Sequence, residues 1–211
     1  MRYTSTMSTI ELTQTGKHDP RLRQRMEHHY SQPKGFVGRS ICYAVRCNGT
    51  YYGHIVGGSA TKHLPGRHDY LCTEQSQLNN IVNNIFFNVS PADGKYPLRN
   101  FTSRVVQQFV HQCSLDWKAK YGDDVIGFET LIELPRSGEL YRRAGWKWTG
   151  RTKGLTCKRV AGKGTDSWGG KRVWNRDELR PKDVFCFSPR FDNNERYIEF
   201  VLGDTRCSDS R

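Results

Sequence analysis

At 211 residues the chain has the length of one domain, or of one domain with a modest appendage. Apolar residues make up 36% of it, enough to bury a core, which excludes an intrinsically disordered chain. A formal charge of +12 predicts an anionic partner: nucleic acid first, then a phosphorylated cofactor or a membrane surface.

Residues 1 to about 18 are polar, rich in Thr and Ser and without a period, and read as a loose tail or arm. "DPRLRQRMEHHY" (19–30) predicts a short helix capped by Asp19, with Pro20 at its first position and an exposed His28–His29 pair near its end. "ICYAVRCNGTYYGHIVGGSA" (41–60) predicts two strands around an Asn48–Gly49 turn. Gly53, Gly57 and Gly58 thin the second strand, as close approach of backbone or of a ligand requires. A loop (61–70) turns at Pro65–Gly66. "IVNNIFFNV" (81–89) predicts a strand, and its asparagines with Asn79 and Asn80 must lie at the surface or in a polar network. Within 97–122, apolar residues at 101, 105, 106, 109, 110, 113 and 117 mark one helix face, with Asn100 or Thr102 as cap and Gly122 past the end. Then follow a central strand (124–134), a short helix (136–146) stopped at Gly145, and a strand or hairpin (147–160). The order ββ, β, α, β, α, β predicts an α/β domain with one mixed sheet. The expected organisation is an arm and short helix (1–30), a catalytic domain (36–160), and a basic loop with a C-terminal extension (161–211) packed on the same domain.

Charge is concentrated late in the chain. Between Arg136 and Lys182 fourteen Lys and Arg face four Asp and Glu, a local excess of ten positive charges. The same stretch holds Trp146, Trp148, Trp168 and Trp174, which favours a surface that stacks and neutralises over an ordinary solvated face. The seven cysteines, with no CxxC pair, argue against a disulfide framework and a structural zinc site and fit a reduced cytosolic compartment. No apolar run reaches the ~18 residues of a membrane helix and the start lacks a signal-peptide core, so a soluble intracellular protein with no membrane partner is expected.

A strand leading into the helix at "YPLRNFTSRVV", the strand "VIGFETLI", and then the short helix "LYRRAGW" resemble the GNAT acyltransferase superfamily. The resemblance implies a mixed, mostly antiparallel central sheet flanked by helices, with the basic C-terminal extension added. It implies acyl-CoA or another acyl or glycyl donor as cofactor, its pyrophosphate at the start of the long helix, on Arg99, Asn100, Thr102 and Ser103. Free N–H groups and the helix dipole favour phosphate at such a place. "PLRNFTS" contains no glycine, whereas that superfamily's loop is usually glycine-rich. The tyrosine of the last motif, here Tyr141, corresponds to a general acid toward the leaving thiolate; the alternative is a phenol packed under the sheet.

The wider stretch "KYPLRNFTSRV…GFETLIELPRSGELYRRAGWKWTGRTKG…CKRVAGKGTDSWGGKRVW", with "FVGRSICYAV" upstream, looks like the phage Mom DNA-modification family over roughly residues 36 to 187. Members carry a carbamoylmethyl group to N6 of adenine in duplex DNA and so shield phage DNA from restriction. The resemblance therefore implies a phage-encoded transferase in the host bacterial cytoplasm, with double-stranded DNA as partner. Part of the same stretch also resembles a domain of transposon-linked and defence proteins, which implies the alternative of a DNA-binding protein without transfer activity. A homodimer stays open.

That chemistry requires a flipped base, a base catalyst and a polarised donor. Glu129, in an apolar run, is the candidate base, with an ion pair to Arg136 or Arg142 as the alternative. Asn80 and Asn84 are candidates for the edge of adenine, and Tyr43, Tyr52 or Trp146 for stacking on it. Arg136, Arg142, Arg143, Lys147, Arg151, Lys153, Lys158, Arg159 and Lys163 are the candidate phosphate contacts. His54, His63, His68, Asp69 and Cys72 lie close in sequence but lack a tight ligand spacing, so no metal ligand is assigned, although the resemblance admits iron.

Overall fold

The computed structural model describes residues 9–154, 156–161, 170–175 and 179–189, the middle two stretches as backbone strands. Seven strands form one sheet in the order β1 (Ile10–Thr15), β2 (Ser40–Cys47), β3 (Thr50–Ser59), β4 (Ile81–Val89), β5 (Gly127–Glu133), β9 (Lys182–Phe187), β6 (Lys147–Arg151). Every neighbouring pair is antiparallel except β4 and β5, which are parallel. β7 (Thr156–Ala161) and β8 (Gly170–Asn175) pair with each other as a separate hairpin.

The local causes are legible. α1 (Pro20–Glu27) starts where Asp19 Oδ1 accepts from the N–H groups of Arg21 (2.8 Å) and Leu22 (3.1 Å), and Pro20 needs no partner there. Asn48 and Gly49 both take positive φ, +48° and +77°, which gives the β2–β3 turn the twist its strands need. Gly57 lies under Val82, Cys113 and Phe109, and Gly58 under Ile85, so these two glycines serve packing within the protein. α3 (Phe101–Tyr121) buries all seven of the positions expected on its apolar face and ends at Gly122 with φ +79°. It begins at Phe101, and Asn100 occupies the cap position in a left-handed conformation without a side-chain cap, unlike the capping expected.

α3 and α4 (Glu139–Arg143) lie over one face of the sheet, on a core that includes Val45, Ile55, Phe109, Trp117, Phe128, Tyr141 and Phe185. The other face is covered by α1, over Leu22, Met26, Cys42, Val56 and Phe86, and by α2 (Arg67–Leu71), over Leu71, Ile81, Val184 and Cys186.

Two expectations about the ends of the chain are corrected. Residues 10–15 are an edge strand, because the N-terminal segment needs only Ile10 and Leu12 to anchor it beside β2. The late segment is no mere appendage. β9 inserts between β5 and β6 and buries Val184, Phe185, Cys186 and Phe187, so a boundary at residue 160 would cut through the sheet.

Candidate active site

β4 and β5 pair at only three positions, Ile81–Gly127, Val82–Phe128 and Asn83–Glu129, and then part. Parting strands leave backbone groups that must find other partners. Side chains take over: Thr130 Oγ1 donates to the Asn84 carbonyl at 3.0 Å, and Asn84 Nδ2 donates to the carbonyls of Val56 and Phe86 at 3.0 and 3.1 Å. Tyr141 donates its phenol to Asn84 Oδ1 at 2.6 Å. Both residues are buried. Burial pushes the Tyr141 phenol above its ordinary value, so it keeps its proton at neutral pH.

Tyr141 is held there by the ends of α4. Gly138 precedes the helix at φ +67°, where a Cβ would strike the Phe185 ring. Gly145, at φ +90°, follows it, the Trp146 N–H donates to the Tyr141 carbonyl at 2.9 Å, and the indole folds back on the phenol with centroids 5.1 Å apart.

A cleft of about 830 Å³ opens between the diverging strands, with Tyr141, Asn83, Asn84 and Thr130 among its lining residues. His29, Tyr30 and Ser31 line it from the α1–β2 connection, and Arg136 from the β5–α4 loop. A second cleft of about 670 Å³ shares Tyr30, Ser31, Thr61, Leu131 and Lys182 with the first and adds His63, Lys153 and Arg180. His29 is half-buried; burial holds its pKa below the usual imidazole value, so it is neutral at pH 7. Its Nδ1 accepts from the Ser31 N–H at 3.3 Å and lies 2.8 Å from Ser31 Oγ. The Arg136 guanidinium sits 3.6 Å from the centroid of the Tyr30 ring.

The structure relocates several expected site residues. Glu129 is fully buried on the face opposite Tyr141, paired with Arg67 at 2.9 Å and accepting from the Thr61 N–H at 2.5 Å; it does not line the cleft and its partner is neither Arg136 nor Arg142. Tyr43 is buried under α3 with its hydroxyl on Asp116 at 2.8 Å, Tyr52 packs on Phe101, and Trp146 is a core anchor, so none presents a ring to the cleft. Asn80 binds the Asp124 carbonyl at 2.8 Å, away from the cleft. Asn80 ends the turn of helix before β4, whereas Asn84 lies within the strand where β4 and β5 part, so Asn84, and not Asn80, stands beside the phenol.

At the start of α3, Arg99 and Asn100 are exposed, Thr102 is half-buried, and Ser103 Oγ donates to the Asn100 carbonyl at 2.9 Å. The first turn carries no acidic side chain and no side-chain cap. Among the expected phosphate contacts, Arg136, Arg142, Arg143, Lys147, Arg151 and Lys153 are exposed. Arg143 pairs with Glu139 at 3.1 Å and Arg151 grips Asp183 at 2.8 and 3.2 Å. Lys158 and Arg159 belong to β7, whose side chains are not described, and Lys163 lies outside the described residues. Among the described residues no group of three or more His, Cys, Asp or Glu side chains is placed to hold a metal ion: His54 faces Tyr51 and Asp19, while His68 faces Arg67 and Thr73. No described helix is long and apolar enough to cross a membrane.

The parallel pair that opens inside an otherwise antiparallel sheet, between α3 and α4 on one face and α1 and α2 on the other, defines the GNAT acetyltransferase fold. Among solved structures the chain is similar to aminoglycoside acetyltransferase AAC(6')-Ib in complex with coenzyme A and kanamycin, with a TM-score of 0.55 and 12% identity over 89% of this chain and 99% of that one. The same enzyme with paromomycin and acetyl-CoA gives a TM-score of 0.52 at 12% identity, over 89% and 98%. At this identity the likeness is one of fold. No protein-family model matches the sequence, and no curated protein matches it.

Proposed function

We propose that the chain is a transferase that modifies an exocyclic base amine in DNA: the resemblance to the Mom family implies a carbamoylmethyl group on N6 of adenine, and the fold favours an acyl or glycyl thioester as the donor. The observation that carries this reading is the buried Tyr141–Asn84 hydrogen bond of 2.6 Å at the point where β4 and β5 part. It sets a protonated phenol in the wall of a cleft inside a fold shared with coenzyme A-dependent enzymes.

The residues at the α3 N-terminus fit the phosphates of an acyl-CoA donor. A 21-residue helix there presents first-turn N–H groups with no side-chain cap and no acidic neighbour, and Arg99 and Thr102 flank them. Such a donor supplies an activated carbonyl. The protein's residues manage the protons. With that donor bound, Tyr141 would be the residue to protonate the sulfur that leaves as the amine nitrogen takes its place on the carbonyl carbon. The amine proton passes to the neutral His29 through Ser31 Oγ, the basic pair lining the cleft. Glu129 takes no part as base.

The DNA partner rests on charge. Arg136, Arg142, Lys147 and Lys153 are exposed on the segments around the clefts, in the stretch with a local excess of ten cations. A glycyl group attached through its carbonyl and a carbamoylmethyl group are isomers, so fragmentation as well as mass distinguishes the products. The test is nucleoside mass spectrometry of plasmid DNA from cells expressing the protein. Modified adenine supports the reading; unmodified DNA bound by soluble protein favours a DNA-binding module without transfer.

A further inference from the structure

Asn83 and Asn84 are adjacent on β4 and point to opposite faces of the sheet at the edge of the opening. Asn84 satisfies both ends of its amide. Asn83 does not. Its Nδ2 donates to Thr61 Oγ1 at 2.9 Å, but its buried Oδ1 has no hydrogen-bond partner among the described residues, although the residue is only 5% exposed and lines the cleft. A buried carbonyl oxygen without a donor costs about 1–3 kcal/mol. Such a group persists where a ligand completes it.

Its surroundings hold it still. Asn83 is directly opposite Glu129 in the β4–β5 register, and Glu129 fixes Thr61 through the Thr61 N–H. Arg67 donates to the Thr61 carbonyl and to Glu129. The whole assembly positions one hydrogen-bond acceptor at the join of the two clefts, since Thr61 lines both.

Tyr30 also lines both clefts and is 43% exposed. The Arg136 guanidinium on its ring marks a place where a planar group stacks. An exposed cation–π contact is weak, whereas a nucleobase on an aromatic side chain is held more strongly, so a base displaces the guanidinium toward the phosphates.

We propose that Asn83 and Tyr30 form the acceptor site, Asn83 Oδ1 accepting from the exocyclic amine of a nucleobase stacked on Tyr30. The proposal rests on the DNA reading above and names the residues that select an amine-bearing base. Asn83 and Tyr30 act by binding, and the proton transfers remain with Tyr141 and His29.

Fluorescence anisotropy with two single-stranded oligonucleotides tests it: a thymine run with a central adenine, and the same run with unsubstituted purine, which lacks the amine. The wild-type protein is expected to bind the adenine oligonucleotide about tenfold more tightly, the worth of one well-made hydrogen bond at a buried acceptor. Asn83→Leu abolishes that preference while the purine oligonucleotide binds as before. Tyr30→Ala, a surface change that leaves folding intact, weakens both about tenfold, and Tyr30→Phe restores them. Equal wild-type affinity for the two oligonucleotides overturns the acceptor site and leaves DNA binding standing. Binding to neither overturns the DNA reading and the acceptor site together. The wild-type comparison needs no variant, so misfolding of Asn83→Leu does not blunt it.

Discussion

Glu129 and Arg67 form an ion pair at 2.9 Å in which neither side chain has exposed surface. Breaking such a pair from one side strands a charge in the interior, which costs far more than the intact pair contributes. Glu129→Gln is therefore expected to lower stability by about 3 kcal/mol in chemical denaturation. Folded Glu129→Gln protein should keep its rate of transfer within about tenfold of wild type, short of the ~100-fold or greater loss expected on removing a general base. A general base would show the opposite pattern, with stability kept and activity lost.

Asn84 joins three partners, Val56, Phe86 and Tyr141, in a buried network. Asn84→Ala leaves two carbonyls and a phenol without partners, so a loss of about 2–3 kcal/mol is expected. Tyr141→Phe removes a single hydroxyl and should cost only about 1 kcal/mol. Because burial raises the phenol above its ordinary value of 10.0, the rate profile should show no alkaline fall from Tyr141 below that pH. An alkaline limb near pH 8 that disappears in Tyr141→Phe would contradict this assignment.

His54 gives the fold an acid sensitivity. It is fully buried, its Nδ1 shares a hydrogen bond of 2.8 Å with the Tyr51 hydroxyl, and burial holds its pKa down to about 4. Asp19, 4.0 Å from Nε2, opposes that shift, and Arg25 and Arg21 reinforce it. The unfolded chain binds this proton near the ordinary value of 6.5 and the folded chain only near 4. Stability from this residue is thus complete above pH 6.5 and lost as pH falls toward 4, by about 3 kcal/mol in all. Denaturation across that window should show the decline, and His54→Gln should flatten it.

Binding of duplex DNA should weaken by roughly a hundredfold or more between about 50 and 200 mM salt if several phosphates are neutralised. Lys147→Ala should lower the salt slope by about one contact. Arg151→Ala should act chiefly on stability, because Arg151 is committed to Asp183. A salt-independent affinity would remove the phosphate contacts from the account.

The sequence made the local elements plain. The Asn48–Gly49 turn, the α3 face and the Gly145 stop each follow from neighbours a few residues apart. Tyr141 was legible for the same reason, lying in the compact string "LYRRAGW". What stayed hidden depends on distance in the chain. Arg67 and Glu129 are 62 residues apart, and no spacing rule joins them. His29 and Tyr30 end a short exposed-looking helix, and only the course of the α1–β2 connection brings them to the cleft. The burial of Tyr43 and Trp146 is not legible in sequence, because aromatic residues carry no sign of which sheet face they occupy. β9 gives no local sign of being an interior strand, because its partner β5 lies far earlier in the chain, beyond the β7–β8 pair.

The most direct measurement compares plasmid DNA from cells expressing wild-type protein with DNA from cells expressing Tyr141→Phe at matched soluble levels. Nucleosides are separated and their modified adenine is quantified by mass spectrometry. The account predicts modified adenine with the wild type and a rate of formation at least about a hundredfold lower with the variant, the scale of a lost general acid. Equal modification by the two proteins, or none by the wild type, would contradict it.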